Sequence, residues 1–491
     1  MIKTVIKKIY RSSFSKKIGL YNHPIIIKTK EMKRNLKIKI RRRKELKYVH
    51  SVSAGKENLS RKFLKENTYE FMYELSLINP EIWGRLLNQI ADSNFSRLAK
   101  HTKINVMFLC NFSATWSCDE LFQLFLKSDR FHPYIVVHHF YNGTQQTIEE
   151  NFNDCFRFFS RKGYEVYKDS DTKINEWFSL EKLGNPDIIF HLSPYNSGFP
   201  KTLDIFSFPL ETININIPYG IYVAELSDFQ YNLPSFSAYW RIFDLPFYAK
   251  LAPKYTKLGN VNRVGSGYCK LDALYKTEYI VPEEIWKITN PKQVKIIFAP
   301  HHSIGELGQK FSTFDKNYQA IYEIAQSLQE TTTWIFKPHP LLKKAAVESG
   351  VFSDEKEYDA YVEKWNKLPN ARVITGGDYF DIFKTSDGMI LDSDSFLAEY
   401  LYVNKPIMLL TRESQKFSEL GVPLSKVLYR VNGEDFQGIL HFITEVLVEK
   451  NDTMADLRKN FFEAYLDYKK KNGMLASEYI YQYICKKVKD F

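Results

Sequence analysis

The stretch that most constrains the fold is residues 385–411, TSDGMILDSDSFLAEYLYVNKPIMLLT. Met389-Ile390-Leu391 is an apolar run short enough for a buried parallel strand. Asp392-Ser393-Asp394-Ser395 then offers side-chain oxygens that can cap the orphan amides of a helix start. Phe396, Leu397, Tyr400 and Leu401 follow at helical spacing, and Asn404-Lys405-Pro406 ends the helix because proline cannot continue it. Ile407–Leu410 reads as the next strand. A strand–helix–strand unit needs a parallel sheet around it. Its helix start would lie at the C-terminal end of a strand, where free N–H groups suit phosphate.

The same alternation runs through most of the chain. Strands are expected at Ile104–Cys110, Tyr134–Phe140, Tyr164–Lys168, Asp187–Leu192 and Thr212–Ile217. Helices are expected at Asp119–Lys127 and from a capping box at Thr147 and Glu150. The pattern pauses over 253–292, which holds Pro253, Pro282 and Pro291, and then restarts. Val294–Ala299, Thr333–Phe336, Arg372–Ile374 and Val427–Val431 read as strands, with helices at Phe314–Gln329 and Glu355–Lys367. Two consecutive doubly wound α/β domains are implied, over 101–275 and 276–450. Helices fill 434–488, so 451–491 closes the chain. Residues 51–100 form a helical lead-in, with Phe63, Leu64, Met72, Leu75 and Ile78 on one stripe and Asn79-Pro80 starting a second helix.

The net charge of +11 is concentrated at one end. Residues 1–50 carry 17 Lys/Arg against Glu31 and Glu45, a net of +15, so the other 441 residues carry 11 − 15 = −4. A near-neutral body argues against nucleic acid as a partner. In the head, Ile2, Val5, Ile6, Ile9, Tyr10 and Phe14 share a helical face among lysines and Arg11, and Arg41-Arg42-Arg43-Lys44 follows. That is the composition of a segment attracted to an anionic membrane surface. No run approaches the ~18 apolar residues of a membrane span, and no secretory signal is evident. The 5 cysteines are scattered without a CxxC pair, which suits reduced thiols in a cytoplasm.

Three strand ends of the second half carry polar clusters. They are Pro300-His301-His302-Ser303, Lys337-Pro338-His339-Pro340 and Asp392-Ser393-Asp394-Ser395. Loops after parallel strands gather on one sheet edge, so these clusters are expected to converge. Imidazoles, an ammonium and helix-start amides supply what a diphosphate needs, charge neutralisation and hydrogen-bond donors. Asp392 and Asp394 form an Asp-x-Asp, but inside a strand–helix junction; no metal and no cofactor are expected.

With these pieces in place, the chain resembles the CDP-glycerol glycerophosphotransferase family of teichoic-acid and capsule polymer synthesis. The resemblance rests on Ile297-Phe298-Ala299-Pro300, Lys337-Pro338-His339-Pro340 and Asp387…Asp392-Ser393-Asp394-Ser395…Glu399…Lys405-Pro406-Ile407. Gly267-Tyr268-Cys269-Lys270-Leu271-Asp272 is similar to the family's interdomain segment. The match is best over 260–411, weaker over 103–225, where Pro186-Asp187-Ile188-Ile189-Phe190 agrees, and absent before residue 100. It implies a GT-B-like fold, two Rossmann-type domains facing a cleft, here behind a helical basic extension. It implies an enzyme at the inner face of the plasma membrane that moves an alditol phosphate from a CDP-linked donor to a hydroxyl of a polymer or lipid-linked acceptor.

Carried over residue by residue, the resemblance makes His339 a catalytic contact to the diphosphate or leaving phosphate. Glu399 would accept hydrogen bonds from ribose or acceptor hydroxyls. His301, His302, Lys337, Asp392, Ser393 and Ser395 would hold the donor phosphates, and Lys270 and Asp272 would lie between the domains. One position departs from the pattern. The family's His-Gly pair, source of the expected general base, corresponds to Tyr219-Gly220 in Asn216-Ile217-Pro218-Tyr219-Gly220. A tyrosine near its reference pKa of ~10 is a poor base, so His191, Glu225 and Asp228 are the other candidates. Asp394 also replaces a serine, and its carboxylate is expected to cap the helix. Two alternatives share this fold: a GT-B glycosyltransferase using a nucleotide sugar, and an inactive GT-B scaffold that binds membrane.

Overall fold

A computed structural model describes residues 43–489, except 142–144, 172, 176, 180–182, 196–198, 226–229, 277–284, 306–309 and 376–378. The basic head before Arg43 therefore lies outside the described residues, as does Asp228.

Two parallel sheets form the frame. The first contains β1 (Ile104–Cys110), β2 (Phe131–Val137), β3 (Val166–Lys168), β4 (Ile188–His191), β5 (Ile213–Asn216), β6 (Arg241–Asp244) and β7 (Arg263–Gly265). Their spatial order is β3-β2-β1-β4-β5-β6-β7. The second contains β8 (Val294–Ala299), β9 (Thr332–Phe336), β10 (Ala371–Val373), β11 (Gly388–Leu391), β12 (Ile407–Thr411) and β13 (Tyr429–Asn432), in the order β10-β9-β8-β11-β12-β13. Both therefore reverse direction beside their first strand, as a Rossmann-type sheet does. Two such sheets in succession make the GT-B-like architecture expected from the motifs. The sequence pattern missed β6 and β7, because Arg241–Asp244 and Arg263–Gly265 are too short and mixed in polarity to stand out.

The two halves repeat one device. Asp187, just before β4, accepts the backbone N–H of Asn105 at the start of β1 (3.1 Å). Asp387, just before β11, accepts that of Lys295 at the start of β8 (2.8 Å). Each carboxylate pins the entry of a central strand to its neighbour.

Alternate side chains of each strand enter different cores. Met107 and Leu109 of β1 face the N-terminal helices, which bring Trp83, Leu86, Leu87 and Ile90 onto that side. Ile296 and Phe298 of β8 pack with Trp334, Trp365 and Phe442. The opposite strand faces share one continuous core that joins both halves and the last helix. That helix, Ala476–Val488, starts on Asp272 of the linker, whose carboxylate accepts the N–H groups of Ala476 (3.0 Å) and Ser477 (2.8 Å). It then returns to the first half, where Tyr483 accepts a hydrogen bond from Arg241 (3.0 Å). Gly267 is required in the linker: its φ is +91°, and a Cβ there would lie 2.1 Å from the Tyr468 ring.

Some local expectations are corrected. The helix carrying Thr147 and Glu150 begins already at Gln145, so those residues are inside it and not at its cap. The helix after β11 is short, Ser395–Glu399, and passes into a 3-10 turn over Tyr400–Val403 that ends at left-handed Asn404 (φ 47°). Lys405 does more than open β12. Its ammonium donates to the carbonyls of Phe383 (3.2 Å), Lys384 (2.6 Å) and Ser386 (2.5 Å), closing the helix Phe380–Thr385.

Candidate active site between the two sheets

The reversal of strand order in the second sheet leaves a crevice between the ends of β8 and β11. The loop after β8 carries His301 and His302, the loop after neighbouring β9 carries Lys337 and His339, and the loop after β11 carries Asp392–Ser395. The three imidazoles meet there. Ring centroids lie 4.2 Å apart for His301–His302, 4.2 Å for His302–His339 and 5.1 Å for His301–His339. Burial keeps all three rings neutral: His301 is held well below the usual imidazole range, His302 is lowered, and His339 is pushed down to about 3.

Lys337 is 7% exposed, and burial together with the charge of Lys270 lowers its pKa to about 8. Among the described residues neither lysine has a carboxylate partner. Lys270 reaches the carbonyls of Ala114 and Tyr219, each at 3.4 Å, and lies 4.9 Å from the centroid of the Tyr379 ring. Two neighbouring cations with no carboxylate partner among the described residues, beside three neutral rings, have the chemistry that suits a polyanion.

The first half closes the crevice. A Cβ on Gly220 would stand 3.4 Å from Ser395 Cβ and 3.8 Å from Glu399 Oε1. Glu399 is 1% exposed, and its other oxygen accepts a short hydrogen bond from the Tyr379 hydroxyl. Asp394 makes no side-chain cap on its own helix. Its Oδ1 accepts instead the N–H groups of Val223 and Ala224 in the first half, both at 2.7 Å. Beside this latch, Ser418 donates its N–H to Val223 O (2.8 Å) and Glu225 donates its N–H to Lys416 O (3.0 Å), so the two halves pair locally like strands.

Asp392 does not face the crevice. It is fully buried and accepts the N–H groups of His301 (2.6 Å) and Thr313 (2.5 Å) and the Thr313 hydroxyl (2.8 Å), while burial raises its pKa to about 6. It ties the loops together; of that strand end, Ser395 lies against Gly220 of the first half. Asp272 likewise anchors the last helix, accepting from Ala476, Ser477 and the Tyr468 hydroxyl.

The base candidates sort by burial. Tyr219 is held as a neutral phenol, pushed above its ordinary value by burial and by the neighbouring Tyr195 hydroxyl. His191 is in the core of the first sheet, bonded to Asn214 (2.8 Å), with burial lowering it to about 4. Glu225 is exposed. His139 and Asp169 form a close pair (2.7 Å) after β2. Three strand spacings, about 14 Å, separate β2 from β5 and Tyr219, too far to serve one hydroxyl with it. Sequence reasoning missed Tyr379, since nothing in the spacing around it marks it as a partner of Glu399; Lys270, expected between the domains, does reach both halves.

The fold is GT-B-like, and two lysines and three imidazoles gather at one edge of its second sheet. The family model of CDP-Glycerol:Poly(glycerophosphate) glycerophosphotransferase matches residues 253–486, which take in the linker, the second sheet and most of the last helix. The chain is similar to this family over that stretch, just under half of its length. Among solved structures it is similar to the wall teichoic acid polymerase TagF (13% identity, 86% of this chain and 98% of that one, TM-score 0.48). It is also similar to UDP-GlcNAc 2-epimerase from Neisseria meningitidis bound to UDP-GlcNAc (12%, 78% and 100%, TM-score 0.48). A third similar structure is S. aureus MnaA with UDP (12%, 79% and 98%, TM-score 0.45). No curated protein matches the chain.

Proposed function

We propose that the chain transfers glycerol phosphate, or a similar alditol phosphate, from a CDP-linked donor to a hydroxyl of a teichoic-acid or capsule-type acceptor. The observation that carries this reading is the pair Lys270 and Lys337, converging without a carboxylate partner among the described residues beside three neutral histidines. A diphosphate supplies the missing negative charge, and the lysines and imidazole N–H groups supply donors to it.

In the proposed reaction the acceptor hydroxyl attacks the donor's β-phosphorus in line. The new O–P bond forms as the bond to the bridging oxygen breaks, and CMP leaves with that electron pair. Lys337, Lys270 and the donor N–H of His339 stabilise the charge spread over the phosphoryl oxygens. Such a loose transition state makes modest demands on a base. Glu399 is the group proposed to take the hydroxyl proton, supported by its position against Gly220, beside the tyrosine that stands in the family's histidine position. Tyr219 positions the acceptor.

No helix of the described residues is long and apolar enough to cross a membrane. Docking at the anionic inner face through the basic head is part of the same proposal, supported by the +15 of residues 1–50. Titration calorimetry of the full chain with CDP, UDP and GDP tests the donor. Selective CDP binding that is lost in His339→Ala is the expected result. A preference for UDP or GDP would move the site to a nucleotide-sugar glycosyltransferase, and binding of none to a folded chain would favour a scaffold.

A further inference from the structure

The three histidines at the crevice have a spacing that invites a metal. Their ring nitrogens approach one another within 4.8 Å, which is close enough for three imidazoles to share one ion. Their other hydrogen bonds decide otherwise. A metal-bound imidazole takes the ion on one nitrogen and carries its proton on the other, donating it to an oxygen. In His301 the Nδ1 accepts the backbone N–H of Ser303 (3.3 Å), and a backbone amide can only donate. The same Nδ1 lies 2.8 Å from Ser303 Oγ. That hydroxyl oxygen already accepts the Phe311 N–H (2.9 Å), which leaves its own proton free to point at the ring. In His339 the Nδ1 accepts the Leu341 N–H (3.1 Å).

We propose that Ser303 and the Leu341 amide are tautomer locks, which hold His301 and His339 with the proton on Nε2 and so make the cluster a donor site for a diphosphate instead of a transition-metal site. The neutrality imposed by burial completes the argument. With Nδ1 occupied as an acceptor, the single proton of each neutral ring must sit on Nε2, where it is a hydrogen-bond donor and leaves no lone pair for a metal. Ser303 is accordingly a positioning residue: it acts on the substrate through His301. This inference rests on the diphosphate reading for its ligand, but the tautomers themselves do not.

The test is imidazole 15N NMR of the full chain near pH 7, with single-histidine substitutions for assignment, combined with titrations of inorganic pyrophosphate and of ZnCl2. The expected result is an Nε2–H signature for His301 and His339, pyrophosphate binding, and no zinc binding that depends on these rings. In Ser303→Ala the residue-303 amide still donates to Nδ1, so the His301 signal should keep its Nε2–H character but shift with the lost hydroxyl contact, and pyrophosphate affinity should fall about tenfold, the size of one hydrogen bond to a charged group. Ser303→Thr, which keeps the hydroxyl, should restore both. An Nδ1–H signature in wild-type protein, or zinc that displaces pyrophosphate, would overturn the proposal. The wild-type spectrum decides even if Ser303→Ala does not fold. Locked tautomers in a chain that binds pyrophosphate but not CDP would leave the lock standing and reject the CDP-linked donor.

Discussion

At the scale of single residues, the crevice separates side chains proposed to meet the donor from side chains that build the wall. Lys337 belongs to the first group. With its pKa lowered to about 8, its ammonium is present below that pH and lost above it. Apparent donor affinity, measured as kcat/KM, should therefore decline as pH rises through about 8. Lys337→Arg, which stays protonated, should remove that limb of the profile, whatever it does to the maximum rate. Asp392 belongs to the second group. Asp392→Ala leaves several buried donors unpaired and should lower stability by about 2–4 kcal/mol in denaturant unfolding, and donor affinity should suffer only as a consequence. His339→Ala should reduce turnover at least about a hundredfold while the fold is kept, checked by the thermal midpoint; near-normal turnover would remove His339 from the site.

At the scale of elements, a residue of the family pattern that opens a strand also holds a helix. Lys405 closes the helix Phe380–Thr385 through three carbonyls, and Tyr379 stands at the N-terminal end of that same helix, where it bonds Glu399. Lys405→Met should lower the melting temperature and also reduce turnover through the displaced Tyr379–Glu399 pair, whereas Tyr379→Phe should affect turnover with little change in melting. Loss of melting temperature without loss of activity would separate the two roles. The βαβ unit at 385–411 was legible in the sequence because short apolar runs, a polar junction and Asn404-Lys405-Pro406 are local signals. β6 and β7 were not, because their strand character comes from pairing with β5 and each other.

At the scale of the whole molecule, the two halves are fastened by Asp394 and by the returning helix Ala476–Val488. Asp394→Ala removes two hydrogen bonds across the cleft; the expected outcome is a more open particle in solution scattering and a higher KM for the donor. The basic head has a defined limit. Val49 and Val52 are buried, at 0% and 2%, against the N-terminal helices, so a deletion meant to test membrane docking must stop at residue 42. That deletion should release the protein from anionic vesicles and leave its melting temperature unchanged; undiminished co-sedimentation would refute docking through the head.

The two parallel sheets and the convergence of polar strand ends were legible in the sequence, because periodicity, turn residues and the Rossmann crossover act locally or by general rule. Only the tertiary structure decided what each polar side chain does. Asp392 and Asp394 belong to one four-residue motif, yet one is consumed inside the second half and the other reaches across to the first. Their spacing along the chain is identical in kind; their partners come from residues 79 to 171 positions away, and no local pattern encodes such a distance. The tautomers of His301 and His339 were likewise invisible until the amides of Ser303 and Leu341 were seen to point at their rings.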